Sequence, residues 1–295
     1  MSSEFWIIQT FNGLSYGALL FLLASGLSLI FGVMRVVNLA HGSYFMLGGY
    51  VGLSVVWLMS RPGAPISVWI FASAVLAGAV AIGLIGVGME RLFLRRLPGQ
   101  TLGQVLMTIG FALIFQDLAL LIWGGDPYSI PVPRMLQGAV RVGALSFPAY
   151  RIFIIVVAVV VAALLWLALD RTRAGARIRA AVDDGEMAQG VGINVPMLSL
   201  SVFALGACLA AAGGVIGGAF LGVYPGADFE VLPYAFVVVI VGGLGSLPGA
   251  MVGSLLVGLL DNFGKALFPE LSYFTLFAPM ALILALRPTG LFGRA

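Results

Sequence analysis

His41 is the only histidine in this 295-residue chain and Cys208 the only cysteine. One imidazole cannot build a histidine-rich metal site, and one thiol excludes an intrachain disulfide and a multi-cysteine centre. Cys208 stands in an Ala/Gly-rich run and reads as a small packing residue. No Gly-x-x-x-x-Gly-Lys-Ser/Thr phosphate loop occurs, and no nucleophile–base pair is visible. The chain is therefore expected to be no enzyme, to need no cofactor and to draw any driving energy from elsewhere. What remains are single polar groups set in apolar surroundings. Asn38 and His41, with Gly42, begin one apolar run. Asp117 follows Gln116 near the end of another, and Asp261 stands within a third. An amide or imidazole left without a partner there costs about 1–3 kcal/mol. An ionisable group inside a membrane is a functional candidate by default. Asp117 or Asp261 could be the coupling group of an ion-driven carrier. Both also lie within about two helical turns of a run's end, where solvation or pairing explains them.

The elements that must hold these groups are membrane spans. Hydrophobic residues make up 61% of the chain and charged residues 9%, with a mean hydropathy of +1.11. Apolar runs of about 20 residues recur without the alternation of barrel strands. The fold class is thus all-α, a polytopic transmembrane bundle of eight or nine spans in a single domain, 1–295, embedded in the lipid bilayer. The net charge of +3 gives no reason to expect nucleic acid as a partner. No basic residue precedes the first apolar run, so the basic start of a cleavable leader is missing and the first span is expected to be retained. Basic residues concentrate at 35, at 91–96, at 171–179 and at 287–294, which marks the cytoplasmic side. Nine crossings then place the N-terminus outside and the C-terminus inside. The 61–65 stretch, Arg-Pro-Gly-Ala-Pro, reads as a short external turn. The polar, proline-bearing stretch 124–151 reads as an external loop and a docking surface.

The stretch 171–195 carries seven of the 27 formal charges between two uncharged runs. It reads as a cytoplasmic loop with structure of its own. Asp183 and Glu186 have capping-box spacing, which predicts a two-turn helix from 184 to about 190. Gly190 or Gly192 would end it in the left-handed conformation. Such a helix is either a lever for a soluble partner or a plain connector.

A second feature is the glycine set 242, 243, 245, 249, 253 and 258 around Ser246 and Pro248. It reads as a helix break at 242–248 followed by a packing face. Two polar, glycine-bearing breaks, at 38–42 and 242–249, suggest discontinuous helices along a translocation path. Asn38, His41, Gly42, Gly242, Gly243, Gly245, Ser246 and Pro248 would line it. The alternatives are a helix cap at Asn38 and small-residue packing at 242–258.

Three ordered motifs resemble one family. They are GARIRAAVDDGEMAQGVGIN in the charged loop, VNLAHG at 37–42 and GGLGSLPGA at 242–250. With the span pattern, they make the chain similar to the permease subunits of branched-chain amino acid ABC importers, LivH-type above all. The resemblance implies import of branched-chain or other hydrophobic amino acids across a bacterial inner membrane. It also implies a second permease subunit, two cytoplasmic ATP-binding subunits and a periplasmic solute-binding protein as partners. In the charged loop it implies coupling to the ATPases through Gly175, Arg179, Asp183, Asp184, Glu186, Ala188 and Gly192. Relatives that import urea or short amides leave the substrate open. Ala176 stands where the family often has Arg, and Asp117 where it often has Asn, which argues against an obligatory proton carrier there.

Overall fold

α1 (Ser3–Met34) is buried at every position from 17 to 30. A helix that is apolar all round belongs inside a bundle, and several of the later helices pack around it. The computed structural model describes residues 2–61, 65–143 and 145–293, with Ser272 and Tyr273 described by backbone alone. Most of the 61–65 turn and Arg294 lie outside the described residues. In order, α2 is His41–Met59, α3 Val68–Leu92, α4 Thr101–Trp123 and α5 Ala149–Arg171. The short α6 (Arg173–Asp183) and α7 (Gly185–Gly190) follow, then α8 Val195–Gly218, α9 Ala227–Gly242, α10 Leu247–Leu267 and α11 Ser272–Leu286.

α8 and α10 run antiparallel to α1 and touch it backbone to backbone. A Cβ on Gly26 would stand 2.5 Å from the Gly206 carbonyl oxygen, and one on Gly17 2.7 Å from that of Ser254. In lipid no hydrophobic force drives helices together, so this close van der Waals contact is what holds them. α4 and α5 sit at the rim. They turn apolar side chains such as Leu121 and Leu164 outward, as lipid contact requires.

Seven of the described helices are long and apolar enough to cross a membrane. α9 and α11, with 16 and 15 residues, reach only about 24 and 22 Å at 1.5 Å per residue. That falls short of a hydrocarbon core about 30 Å thick. The nine apolar runs of the sequence thus become seven full-length helices and two short ones. The antiparallel pairings gather Arg35, the 91–96 cluster, the 171–195 connection and Arg287 at one end. By the positive-inside rule this arginine-rich end is the one expected to face the cytoplasm. The opposite end carries what the sequence showed only as a polar loop. There a small antiparallel hairpin, β1 (Ala139–Val142) with β2 (Leu145–Pro148), stands beside a bridge between Tyr128 and Val223.

Candidate functional site

At the arginine-rich end the 171–195 stretch forms an elbow of two helices. The lone two-turn helix expected there is α7, and α6 precedes it. Thr172 opens α6: its hydroxyl accepts the Gly175 amide at 3.1 Å. Gly175 is buried against the last turn of α5, where a Cβ would lie 2.0 Å from the Leu169 carbonyl oxygen. Arg179 donates to that same carbonyl and stands 3.6 Å from Asp170. Both charges are half exposed, so the ion pair contributes little. The contact with a helix C-terminus is the better reason for the arginine. Together these groups fold α6 back beneath α5.

α7 follows at once. Its cap is Asp184, whose carboxylate accepts the Met187 amide at 2.9 Å. The capping-box reading named Asp183 instead. Two adjacent aspartates offered the same chemistry, and Asp183 is spent as the last residue of α6. Gly192 ends α7 with φ +88°. The Ile193 amide reaches the Ala188 carbonyl at 3.0 Å and the Gly192 amide that of Gln189 at 2.9 Å, the paired bonds of a Schellman turn. Glu186 lies in the first turn, exposed, where the helix dipole favours a negative charge.

Ala188 is 3% exposed and packs inside this chain. It therefore seats α7, and a bulky replacement would act by unseating the helix. Met187 and Val191 are the apolar side chains turned outward, at 65% and 71% exposure. Replacing Asp184 by alanine is expected to destabilise α7 by about 1 kcal/mol, while Asp184→Asn keeps the acceptor and costs little. Hydrogen exchange at residues 185–190 would show faster opening for the alanine variant only.

The second polar locus lies deep in the bundle. After α1 the chain turns at Arg35 (φ +52°), runs back inward without helix over 35–38 and turns again at 39–40. His41, the first residue of α2, bonds the Leu23 carbonyl at 2.9 Å. Leu23 lies eleven residues before the end of α1, about 16 Å up the helix. Asn38 makes a tight local turn, its Oδ1 accepting the Ala40 amide at 3.1 Å. Asn38 and His41 are fully buried, and Asn38 Nδ2 and His41 Nδ1 have no partner among the described residues.

The structure supplies a counterpart that sequence reading missed. By sequence alone the stretch 223–230, VYPGADFE, reads as a short external loop. Here α8 ends outside, the chain dips back in, and α9 begins at Ala227 within the bundle. Asp228 is 2% exposed and accepts the Ser43 hydroxyl at 2.7 Å. A Cβ on Gly42 would lie 2.5 Å from the Asp228 carbonyl oxygen. Two re-entrant helix starts of opposite direction therefore meet, as in discontinuous-helix transporters.

The break at 242–248 is real, but it sits elsewhere. Gly243 (φ +106°) and Gly245 (φ +78°) turn the chain from α9 into α10 at the arginine-rich end, with Gly245 against Gly32 of α1. Ser246 caps α10 by accepting the Gly249 amide at 3.1 Å, and Pro248 lies in its first turn. Gly242 and Gly249 pack against each other, and Gly253 against the Val238 carbonyl. The glycine face is thus helix packing. The partner of the 38–42 break is 219–228, and the two loci named from sequence are not brought together. Of the ion-coupling candidates, Asp117 is exposed on α4. Asp261 is held by Lys265 at 2.7 Å.

A family described as the permease component of a branched-chain amino acid transport system matches residues 9–286. The chain is 31% identical over 297 residues to the high-affinity branched-chain amino acid transport system permease protein BraD of Pseudomonas aeruginosa, covering 98% of this chain and 96% of that one. It is 30% identical over 305 residues to the permease protein LivH of Escherichia coli K12, covering 100% and 98%. The ribose import permease protein RbsC of the same organism is 26% identical over 310 residues, covering 96% and 86%. No solved structure matches the chain.

Proposed function

Because the chain belongs to the family of permease components of branched-chain amino acid transport systems, we propose that it is the membrane permease subunit of an ATP-driven importer for branched-chain and other hydrophobic amino acids. It is a multi-pass protein of the cell membrane and a transport component, and its sequence holds no phosphate loop of its own. Two cytoplasmic ATP-binding subunits supply the hydrolysis, a second permease chain completes the pore, and a periplasmic solute-binding protein delivers the substrate at the hairpin end. The observation that supports this best is the α6–α7 elbow. It is folded back onto α5, closed by caps at both ends of α7, and offers Met187 and Val191 beside Asp184 and Glu186 to a soluble partner. A plain connector would need neither the seat at Gly175 nor the Schellman turn. Of the two carboxylates that could couple an ion, Asp261 is occupied by a lysine and Asp117 is exposed on α4.

Reconstitution tests the reading. In liposomes the lone chain should show no leucine uptake under a proton or sodium gradient. Uptake should appear with the partner permease, both ATPases, the binding protein and ATP. Gradient-driven uptake by the lone chain would refute the importer reading. A complete complex that moves urea or a short amide and leaves leucine outside would keep the mechanism and change the substrate.

A further inference from the structure

α9 differs from every other helix in how it is held. It is short, it starts inside the bundle, and a glycine in the left-handed region bounds it at each end, Gly226 at φ +97° and Gly243 at φ +106°. Only glycine takes these angles without strain, and hinge positions are often small residues. The cytoplasmic end of α9 is strapped from outside the helix: the Leu291 and Phe292 amides donate to the Val241 and Gly242 carbonyls, each at 2.9 Å. At the buried end the polar tie is the bond from Ser43 to Asp228.

That tie is electrostatically unusual. Asp228 is the second residue of α9 and Ser43 the third of α2. Its carboxylate thus sits at the positive ends of two helix dipoles at once. α2 has no side-chain cap of its own, so Asp228 supplies the negative charge that its N-terminus lacks. The other carboxylate oxygen, Oδ1, has no hydrogen-bond partner among the described residues. A cation is unwelcome between two positive helix ends, which argues against an ion-binding site. A half-satisfied carboxylate binding two short-start helices suits a contact that is made and broken.

We propose that α9 is a gate arm of this subunit and that Asp228 and Ser43 are the latch holding it against α2, parting once in each transport cycle. In the chain α8 follows the α6–α7 elbow and precedes α9, and it packs on α1, α2 and α3. A tilt of α8 driven from the cytoplasmic end reaches α9 through the link at 219–226. The latch residues act by positioning the two helices, and the inference rests on the importer reading.

The test uses the complete importer in proteoliposomes. In a Cys208→Ala background, Ser43→Cys and Asp228→Cys are introduced together, and the pair is bridged by oxidation or by a one-carbon bis-thiosulfonate linker. Bridging should lower ATP-driven uptake at least tenfold relative to the reduced protein, and reductant should restore it. If the bridged complex transports at the reduced rate, or if the cysteines do not bridge at all, the latch does not exist as described. Asp228→Asn and Ser43→Ala keep the shape of the site and serve if the cysteine pair does not assemble. Each should raise ATP hydrolysis without binding protein by the same factor, about threefold, and together by no more. Unchanged or additive hydrolysis would overturn the proposal. Failure of the unmodified complex to show ATP-driven uptake would instead count against the importer reading.

Discussion

A Gly175→Val chain is expected to keep its membrane helices assembled and to lose at least tenfold in ATP-driven uptake, with weakened recovery of the ATPases in a pull-down. The reason is geometric. The first added carbon would stand 2.0 Å from the Leu169 carbonyl oxygen, 2.5 Å from its carbon and 2.6 Å from the Ala168 carbonyl oxygen. All three are backbone atoms, so no rotamer change can make room. α6 must swing away from the end of α5, carrying off the Arg179 contact and the seat of α7. Overpacking of this kind commonly costs about 1–3 kcal/mol. Here it falls on the joint that would carry force rather than on the spans. Ala174→Val, one residue earlier and exposed, should change uptake by no more than about twofold, since surface substitutions stay within about 0.5 kcal/mol. Normal uptake and normal recovery of the ATPases by Gly175→Val would make the elbow a connector. The 91–96 cluster would then be the next place to look for coupling.

The elbow also shows how far sequence could be read. Apolar runs placed the helices because a bilayer demands about 20 such residues per crossing. Arginine clusters marked helix ends that the fold gathers at one side of the bundle. The left-handed end of α7 was visible because Gly192 is nearly alone in tolerating it. The cap slipped by one residue because Asp183 and Asp184 are chemically alike, and only the preceding helix decides between them. That preceding helix was overlooked, though Gly175, Ile178 and Ala181 recur at helical spacing and are the residues that turn inward. The density of arginine drew attention to charge and away from periodicity. Asp228 had no comparable local signal. Tyr224, Pro225 and Gly226 form an ordinary turn before an acidic pair, which reads as an aqueous loop. Its burial is decided by Gly42 and Ser43, on a helix near the other end of the chain, and by a link that dips back in. Re-entry of this sort is a tertiary fact.

The crossing of α2 and α8 should prove the least tolerant place in the chain, and Gly214→Ala its sharpest probe. A methyl group there would lie 1.8 Å from the Phe45 carbonyl oxygen, 2.7 Å from its carbon and 3.1 Å from the Gly49 nitrogen. On the facing helix a Cβ on Gly48 would meet the Ala211 Cα at 2.4 Å. With backbone against backbone on both sides, one methyl must push α2 away from α8. Helix association in lipid depends on this approach because little else drives it. The variant is expected to accumulate in membranes at less than a tenth of the normal level, with none recovered as a single sharp species in detergent. Gly110→Ala is the control. It too lies within a membrane-spanning helix, but a Cβ there meets nothing within 4 Å. Helix propensity should make it neutral or stabilising by up to about 1 kcal/mol. The contrast separates the cost of a methyl group from the cost of losing one contact. Normal accumulation of Gly214→Ala would mean that α2 and α8 do not touch in this way. The buried start of α2 at His41, and with it the meeting of Ser43 and Asp228, would then lose its foundation, since α8 is the surface against which α2 is set.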